Sequence, residues 1–203
     1  MNQNVNKILK IGALYLGFIV IAIAVVLHLQ ITQQFDNFFF QLLHAPNNLY
    51  LSFFKIITNL GMPIMTVILS FICGLILHSR QRWFLITIVL INTIGNHYFK
   101  YLFQRPRPTL PHLVTVGGYS FPSGHAVAIT TFILALQIII KQNTKKRLSL
   151  YLLDLIAILV ILSRIVLQVH FPSDVLAGTI LASANTLLFK DLVFGNQSTT
   201  SDS

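Results

Sequence analysis

The chain has 203 residues, of which 55% are hydrophobic and only 9% are charged, and its mean hydropathy is +0.75. An ordinary soluble domain carries about 25% charged residues, so the composition excludes that class and predicts one membrane-embedded domain. The net charge of +9 does not indicate nucleic-acid binding, because the basic residues lie between apolar runs instead of covering one face.

The composition also argues against a metal cofactor. The single cysteine, Cys73, excludes an intrachain disulfide and a cysteine-based metal site. The chain has no glutamate, and its five aspartates are too few and too scattered for a multi-carboxylate Mg²⁺ site. We therefore expect no metal and no other cofactor.

Six apolar runs predict an all-α domain of six transmembrane helices over residues 1–194, since about 20 helical residues cross the hydrocarbon core. The predicted crossings are about residues 11–29, 49–77, 84–103, 125–140, 148–169 and 174–189. Gly61-Met62-Pro63 should bend or break the second crossing and leave a short interfacial piece before it.

Two segments outside these crossings have a different character. Residues 31–48 interleave phenylalanine and leucine with polar residues, which predicts either an amphipathic segment at the membrane interface or a loop packed on the bundle. Residues 195–203 are polar and rich in serine and threonine, which predicts a disordered tail.

The distribution of basic residues predicts the orientation. Six crossings place both termini on one side, and the positive-inside rule makes that side the cytoplasm. The residues on that side are Lys7, Lys10, Arg80, Arg82, Lys141, Lys145, Lys146, Arg147 and Lys190. Four of the five basic residues on the opposite side cluster around residues 119–126, which indicates a functional site that faces outward; the five are Lys55, Lys100, Arg105, Arg107 and Arg164.

Three polar motifs lie at the predicted outward ends of the third to sixth helices. In chain order they read Lys100-x6-Arg107-Pro108, Pro122-Ser123-Gly124-His125 and Ser163-Arg164-x5-His170-x3-Asp174. Together they resemble the signature of the type 2 phosphatidic acid phosphatase family, K-x6-R-P, P-S-G-H and S-R-x5-H-x3-D. Every signature position is filled and the spacing within each motif is kept.

The residue types also suit a phosphate on physical grounds. A phosphoryl group in its transition state carries charge on three equatorial oxygens, so it needs several fixed donors. Arg107 and Arg164 can each grip two oxygens, and Lys100 supplies a point charge. Ser123 can cap the fourth crossing or donate to the phosphate, and the backbone N–H of Gly124 completes the cradle. The alternative, headgroup binding by snorkelling side chains, leaves two histidines in the same loops unexplained.

The resemblance implies that His170 is the nucleophile and forms a transient phosphohistidine. Asp174, four residues later, can fix the imidazole tautomer and stabilise the imidazolium. His125 would protonate the leaving oxygen and later activate water. Pro172 is expected to end the fifth helix near His170, so that the His170–Asp174 pair spans a turn. The alternative for either histidine is an interfacial side chain without a chemical role.

Other polar residues have weaker interpretations. Asp154 lies within the fifth crossing, near its cytoplasmic end, and is interpreted as a paired or interfacial structural acid. Arg105 and His112 lie in the outer loop and are candidates for headgroup contact. His97 and Asn96, three and four residues before Lys100, are interpreted mainly as helix-to-helix polar contacts, with support of the site as the alternative.

The expected function is a metal-independent phosphatase in a bacterial plasma membrane, acting on a lipid phosphomonoester or pyrophosphate at the outer face. Phosphatidylglycerophosphate is the preferred substrate and undecaprenyl pyrophosphate the alternative. A phosphotransferase is the rival among enzymes. A lipid-binding or lipid-translocating protein without chemistry is the rival of another class.

Overall fold

The computed structural model describes residues 3–43, 47–143 and 147–195, which form eight α-helices, one short 3-10 helix and no strand. The predicted disordered tail, 195–203, lies outside the described residues except for Gly195, as do residues 44–46 of the predicted interfacial segment. The elements are α1 (Gln3–Val26), α2 (Gln30–Leu42), α3 (Asn48–Ile57), the 3-10 helix Thr58–Gly61, α4 (Pro63–Gly74), α5 (Ser79–Phe103), α6 (Gly124–Asn143), α7 (Arg147–Val166) and α8 (Pro172–Phe194).

Within the described residues, four helices are long and apolar enough to cross a membrane, and a fifth crossing results if the bent pair Asn48–Gly61 and Pro63–Gly74 is one span. The four are Val5–Val26, Gly124–Gln142, Leu148–Val166 and Pro172–Phe194. Helix α5, predicted as the third crossing, is not among them although it has 25 residues. Its outer half carries Asn92, Asn96, His97 and Lys100, and these polar side chains lower its hydropathy.

The predicted interruption of the second crossing is confirmed. The 3-10 helix ends at Gly61, α4 begins at Pro63, and the two helical pieces are bent by 57°. Pro63 fits the first position of a helix because its missing N–H is not needed there. A Cβ on Gly61 would lie 2.3 Å from Cγ1 of Val160 and 3.4 Å from Cδ2 of His125, so only glycine allows this approach. The break therefore brings the 3-10 helix against the start of α6.

Helix α6 lies at the centre of the bundle. Of its membrane-spanning stretch, 61% is buried, compared with 17% for α1. It packs against α5, α7, α8 and α4. The largest apolar cluster lies between α5, α6 and α7 and includes Phe84, Leu85, Ile88, Val89, Ile129, Phe132 and Val160. The face of α1 away from α8 carries exposed Leu16, Ile19, Val20 and Ile23, as expected of a helix that contacts lipid.

A ladder of side-chain hydrogen bonds crosses the bundle from α1 to α6. The Tyr15 hydroxyl donates to Oδ1 of Asn185 at 2.7 Å, and Nδ2 of Asn185 donates to Oδ1 of Asn92 at 2.7 Å. Nδ2 of Asn92 then donates to Oγ1 of Thr131 at 2.8 Å. Hydrogen bonds between helices in an apolar surrounding favour one helical register, so the ladder helps to align α1, α8, α5 and α6.

Helices α5 and α7 end, and α6 and α8 begin, at the same end of the bundle. The prediction for Pro172 was wrong: α7 ends at Val166, and Pro172 is the first residue of α8 instead of a terminator of α7. Proline needs no hydrogen-bond acceptor at a helix start, which explains the placement. His170 consequently lies in the turn between the two helices.

Helix α8 passes so close to the start of α6 that a side chain at Gly178 would not fit. A Cβ there would lie 2.9 Å from the backbone oxygen of Ser123 and 3.3 Å from Cβ of Ala126. We expect Gly178→Ala to reduce the free energy of unfolding by about 1–3 kcal/mol, because added volume in a packed interior forces backbone shifts. Thermal unfolding in detergent measures the loss.

The matched control is Gly95→Ala in α5, where an added Cβ would meet nothing within 4 Å. That substitution should leave the melting temperature unchanged or raise it slightly, because alanine has the higher helix propensity. Equal melting temperatures for the two variants would contradict the close approach of α8 to Ser123.

Candidate active site

The three predicted motifs meet at one end of the bundle. Lys100 lies in the last turn of α5 and Arg107 in the loop that follows. Gly124 and His125 open α6, directly after Ser123. Arg164 lies in the last turn of α7, His170 in the following turn and Asp174 in the first turn of α8. The eight predicted site residues are thus supplied by four helix ends.

His170 and Asp174 face each other across the start of α8. Oδ2 of Asp174 accepts a hydrogen bond from the backbone N–H of Phe171 at 2.9 Å and lies 3.5 Å from Nδ1 of His170. That Nδ1 is buried and has no hydrogen-bond partner within the described part of the chain. A proton on Nδ1 points the N–H towards the carboxylate and leaves the lone pair on Nε2.

Nε2 of His170 faces the cations. It lies 3.3 Å from NH1 of Arg107. Burial, together with the charges of Lys100, Arg164 and Arg107, holds the pKa of His170 well below its usual range. The imidazole is therefore neutral at physiological pH, as a nucleophile must be.

Arg107 uses most of its donors on the backbone. Its Nε donates to the carbonyl of Gly118 at 3.0 Å, NH2 donates to Gly117 at 2.8 Å and NH1 donates to Val169 at 2.7 Å. A guanidinium has five N–H groups, so one on NH2 and the one directed at His170 remain for a ligand. Arg107 can therefore still offer two N–H groups to a ligand, one on each terminal nitrogen.

Lys100 is held in a similar way. Its Nζ donates to the carbonyl oxygens of Tyr119 at 2.7 Å and Ser120 at 3.2 Å, which leaves one of its three protons. Ser120 is itself anchored, because its N–H donates to the carbonyl of Arg105 and its hydroxyl to that of Pro106. The loop thus fixes the ammonium beside the start of α6.

Arg164 is the most buried of the three cations, with 2% of its surface exposed. NH1 donates to the hydroxyl of Thr58 at 2.6 Å, whereas Nε has no partner among the described residues. Thr58 belongs to the 3-10 helix and was not predicted from the sequence. The unpartnered Nε makes Arg164 a ready donor to an anion.

The start of α6 adds backbone and side-chain groups. The N–H of Ser123 donates to the carbonyl of Asp174 at 3.1 Å, and the Ser123 hydroxyl lies 3.5 Å from the N–H of Ala126, as a weak cap does. The Gly124 backbone lies close to Asn96, since an added Cβ would be 3.3 Å from Nδ2 of that residue. Free N–H groups at this helix start can bind an anion.

A second network supports Asp174 and includes a residue that the sequence analysis missed. NH1 of Arg105 donates to Oδ1 of Asp174 at 2.6 Å, and NH2 donates to Oδ2 of Asp36 at 2.9 Å. Asp36 also accepts from the N–H and the hydroxyl of Ser173. Arg105 stacks on Phe171 with 3.9 Å between the guanidinium carbon and the ring centroid. Arg105 was only a candidate for headgroup contact, and two buried carboxylates turn it inward.

The remaining polar residues lie apart from this network. Asp154 accepts from Nε2 of Gln137 at 2.7 Å, which agrees with its interpretation as a paired structural acid. Nε2 of His112 lies 3.0 Å from the carbonyl of Pro108. Over the described ranges, no group of three or more histidine, cysteine or acidic residues is arranged to hold a metal ion.

The network predicts strong coupling between Asp36 and Arg105. Arg105→Gln strands two buried carboxylates and should reduce the free energy of unfolding by about 3–5 kcal/mol. Asp36→Asn leaves Arg105 paired with Asp174 and should cost less, about 1–3 kcal/mol. Unfolding in mixed micelles measures both single variants and the double variant. The double variant should lose less than the sum of the two, since the pair shares hydrogen bonds; additive losses would contradict the network.

The helical arrangement is similar to that of two solved structures. The crystal structure of the first transmembrane PAP2 type phosphatidylglycerolphosphate phosphatase from Bacillus subtilis superposes with a TM-score of 0.77 over 94% of this chain and 98% of that one, at 22% identity. The crystal structure of Aquifex aeolicus LpxE superposes with a TM-score of 0.64 over 74% of this chain and 91% of that one, at 26% identity. The fold is thus that of a transmembrane PAP2 protein.

Comparison with curated proteins finds relatives with similar names. A phosphatidylglycerophosphatase B of Bacillus subtilis is 30% identical over 131 residues, and an undecaprenyl-diphosphatase of Sulfolobus acidocaldarius is 29% identical over 119 residues. These matches cover 60% and 58% of this chain. The chain spans less than two thirds of either relative, 64% and 49% respectively. Residues 81–198, which include all three motifs and more than half of the chain, match the PAP2 superfamily, and the chain belongs to that superfamily.

Proposed function

We propose that this multi-pass membrane protein is a metal-independent lipid phosphatase that works through a phosphohistidine on His170. The observation that carries the proposal is the placement of His170. Its Nδ1 lies 3.5 Å from the Asp174 carboxylate, while its Nε2 faces Arg107 at 3.3 Å, where a bound phosphate would meet the cations. A neutral imidazole with an orienting carboxylate on one nitrogen and an anion site at the other is the arrangement that nucleophilic attack on phosphorus requires.

The proposed reaction has two steps. In the first, Nε2 of His170 attacks phosphorus, the bond to the leaving oxygen breaks, and His125 gives its proton to that oxygen. In the second, His125 takes a proton from water, whose oxygen attacks the phosphohistidine and releases inorganic phosphate and His170. Lys100, Arg107, Arg164 and the start of α6 stabilise the charge on the equatorial oxygens throughout.

The proposed substrate is a lipid phosphomonoester, with phosphatidylglycerophosphate preferred. Support comes from the names of the Bacillus subtilis relatives and from a site at the ends of membrane helices, where a lipid headgroup lies. The relative named undecaprenyl-diphosphatase supports polyprenyl pyrophosphate as the alternative substrate. Both assignments imply a role in lipid or lipid-carrier metabolism.

The proposed topology has six crossings, with both termini in the cytoplasm and the site at the outer face. Helix α5 serves as the additional crossing, because its 25 residues span about 37 Å despite their polar content. The arginines and lysines at the other end of the bundle support the orientation by the positive-inside rule.

The proposed nucleophile is tested with His170→Ala. Phosphate release from pure phosphatidylglycerophosphate, phosphatidic acid and a polyprenyl pyrophosphate is measured side by side, with EDTA present. The variant should lose at least about 10³-fold in kcat, because no other group replaces the attacking nitrogen. His78→Ala is the control, since His78 precedes α5 at the opposite end of the bundle. Unchanged release by His170→Ala would refute the proposal, and a requirement for added Mg²⁺ would refute metal independence.

The low pKa of free His170 predicts the position of the acid limb in the pH profile. Burial and three cations favour the neutral imidazole, so kcat/KM should fall only well below the usual histidine pKa of about 6.5. A bound phosphate offsets the cations and raises the pKa of His170, so the acid limb of kcat should lie at higher pH than that of kcat/KM. The two-histidine scheme also requires the rate to fall on the alkaline side, where the group that protonates the leaving oxygen no longer carries a proton. A profile flat from about pH 5 to 9 would contradict the two-histidine scheme.

A further inference from the structure

A cavity of about 370 Å³ lies directly beside the proposed phosphate site, between the start of α4, the outer half of α5 and the first residue of α6. It shares Lys100 and Gly124 with the phosphate site. The next residue after Gly124 is His125, the proposed donor to the leaving oxygen. The cavity therefore adjoins the start of α6, the helix end that carries the proposed donor. Its lining consists of Pro63, Thr93, Ile94, Asn96, His97, Tyr98, Lys100 and Gly124.

Two of the lining residues carry a buried polar atom that lacks a hydrogen-bond partner in the described part of the chain. Oγ1 of Thr93 and Oδ1 of Asn96 are both buried and make no hydrogen bond to any residue that the structure describes. Asn96 is 6% exposed. Unpaired polar atoms of this kind cost free energy unless a ligand or water satisfies them, and here they occur together at one cavity.

The spacing along α5 puts these groups within reach of a headgroup. Asn96 precedes Lys100 by four residues and Thr93 precedes Asn96 by three, so all three lie on one face of the helix. One helical turn rises about 5.4 Å, which is the distance from a phosphate to a hydroxyl a few bonds away. At the outer rim, Ile94 and Tyr98 are 55% and 70% exposed and offer apolar surface to the lipid part of the substrate.

The chemistry of the unpaired atoms selects the headgroup. Oδ1 of Asn96 accepts hydrogen bonds and cannot donate, so it needs a donor from the ligand. An ionised pyrophosphate presents acceptor oxygens, whereas a polyol next to the phosphate presents an O–H donor. A Thr93 hydroxyl can donate to or accept from the same group.

Building on the proposed function, we propose that Asn96 and Thr93 form a specificity site for a hydroxyl group adjacent to the scissile phosphate. The site favours lipid phosphomonoesters with a glycerol-type headgroup over polyprenyl pyrophosphates. This site binds the hydroxyl of the leaving headgroup while the phosphate contacts the cations. The leaving oxygen is thereby held beside His125.

The test compares two substrates that differ by one hydroxyl. Phosphatidylglycerophosphate carries a free hydroxyl next to its terminal phosphate, and a synthetic analogue with 1,3-propanediol in place of that glycerol lacks it. Wild-type protein should show a kcat/KM about tenfold higher for the hydroxyl-bearing substrate, the effect of about 1.4 kcal/mol. Asn96→Leu and Thr93→Val, which nearly conserve volume, should each reduce this ratio towards one.

The control is Thr130→Val in α6. The Thr130 hydroxyl is also buried without a partner in the described chain, but Thr130 does not line the cavity. This variant should keep the wild-type ratio. A wild-type ratio near one, or variants that keep a tenfold ratio, would overturn the specificity site while leaving the phosphatase proposal intact. Release of phosphate from neither substrate by wild-type protein would overturn the proposed function and the specificity site with it.

Discussion

The site depends on a buried excess of positive charge that carboxylates do not neutralise. Lys100, Arg107 and Arg164 all act on His170. Lys100 and Arg107 are held by backbone carbonyls and Arg164 by a threonine hydroxyl. Carbonyl dipoles fix these side chains without cancelling their charge. An anion that enters therefore meets donors that are already oriented, which is the condition for electrostatic stabilisation of a transition state.

The carboxylate of Asp174 is bound directly by a cation that is not one of the proposed phosphate ligands. Asp174 is paired at 2.6 Å with Arg105, a fourth cation, which is shared in turn with Asp36 of α2. The four charges of Arg105, Asp36, Asp174 and a protonated His170 would sum to zero, so the Arg105 network could accommodate the imidazolium character of the proposed phosphohistidine. Helix α2 thus contributes to the surroundings of the candidate site, because it supplies the carboxylate that pairs with Arg105.

The sequence was sufficient for the parts of this site that local spacing encodes. The three motifs named the eight residues that meet at one bundle end, and Gly61-Met62-Pro63 located the break before α4. Parts that depend on contacts across the chain were not predictable. Asp36 lies 138 residues from Asp174, and no local spacing relates its phenylalanine-rich segment to the three motifs. A lone acid in an apolar segment opposite an arginine-rich loop is the one signal that would have found it.

The same limit explains why the partners of Arg105 and Arg107 and the placement of Pro172 were not predicted. A basic residue in an outer loop, such as Arg105, is expected to face solvent. Only the fold shows that two carboxylates lie on its inner side. The sequence indicates that the Arg107 guanidinium can bind two oxygens. It does not indicate that the carbonyls of residues 117, 118 and 169 already accept hydrogen bonds from its Nε, NH2 and NH1. A proline near a boundary fits the end of one helix or the start of the next, and spacing alone does not decide between them.

The polar residues of α5 link the packing of the helices to the anion site. Asn92 serves the hydrogen-bond ladder that aligns four helices, whereas Lys100 serves the anion site, and Asn96 lies one turn from each. A helix that only crossed the membrane would gain stability from apolar residues at these positions. Asn92 and Lys100 have partners that explain them, whereas Oδ1 of Asn96 and Oγ1 of Thr93 have none among the described residues. Their polarity is therefore best explained by a ligand, and the cavity beside Lys100 is where that ligand has room to bind.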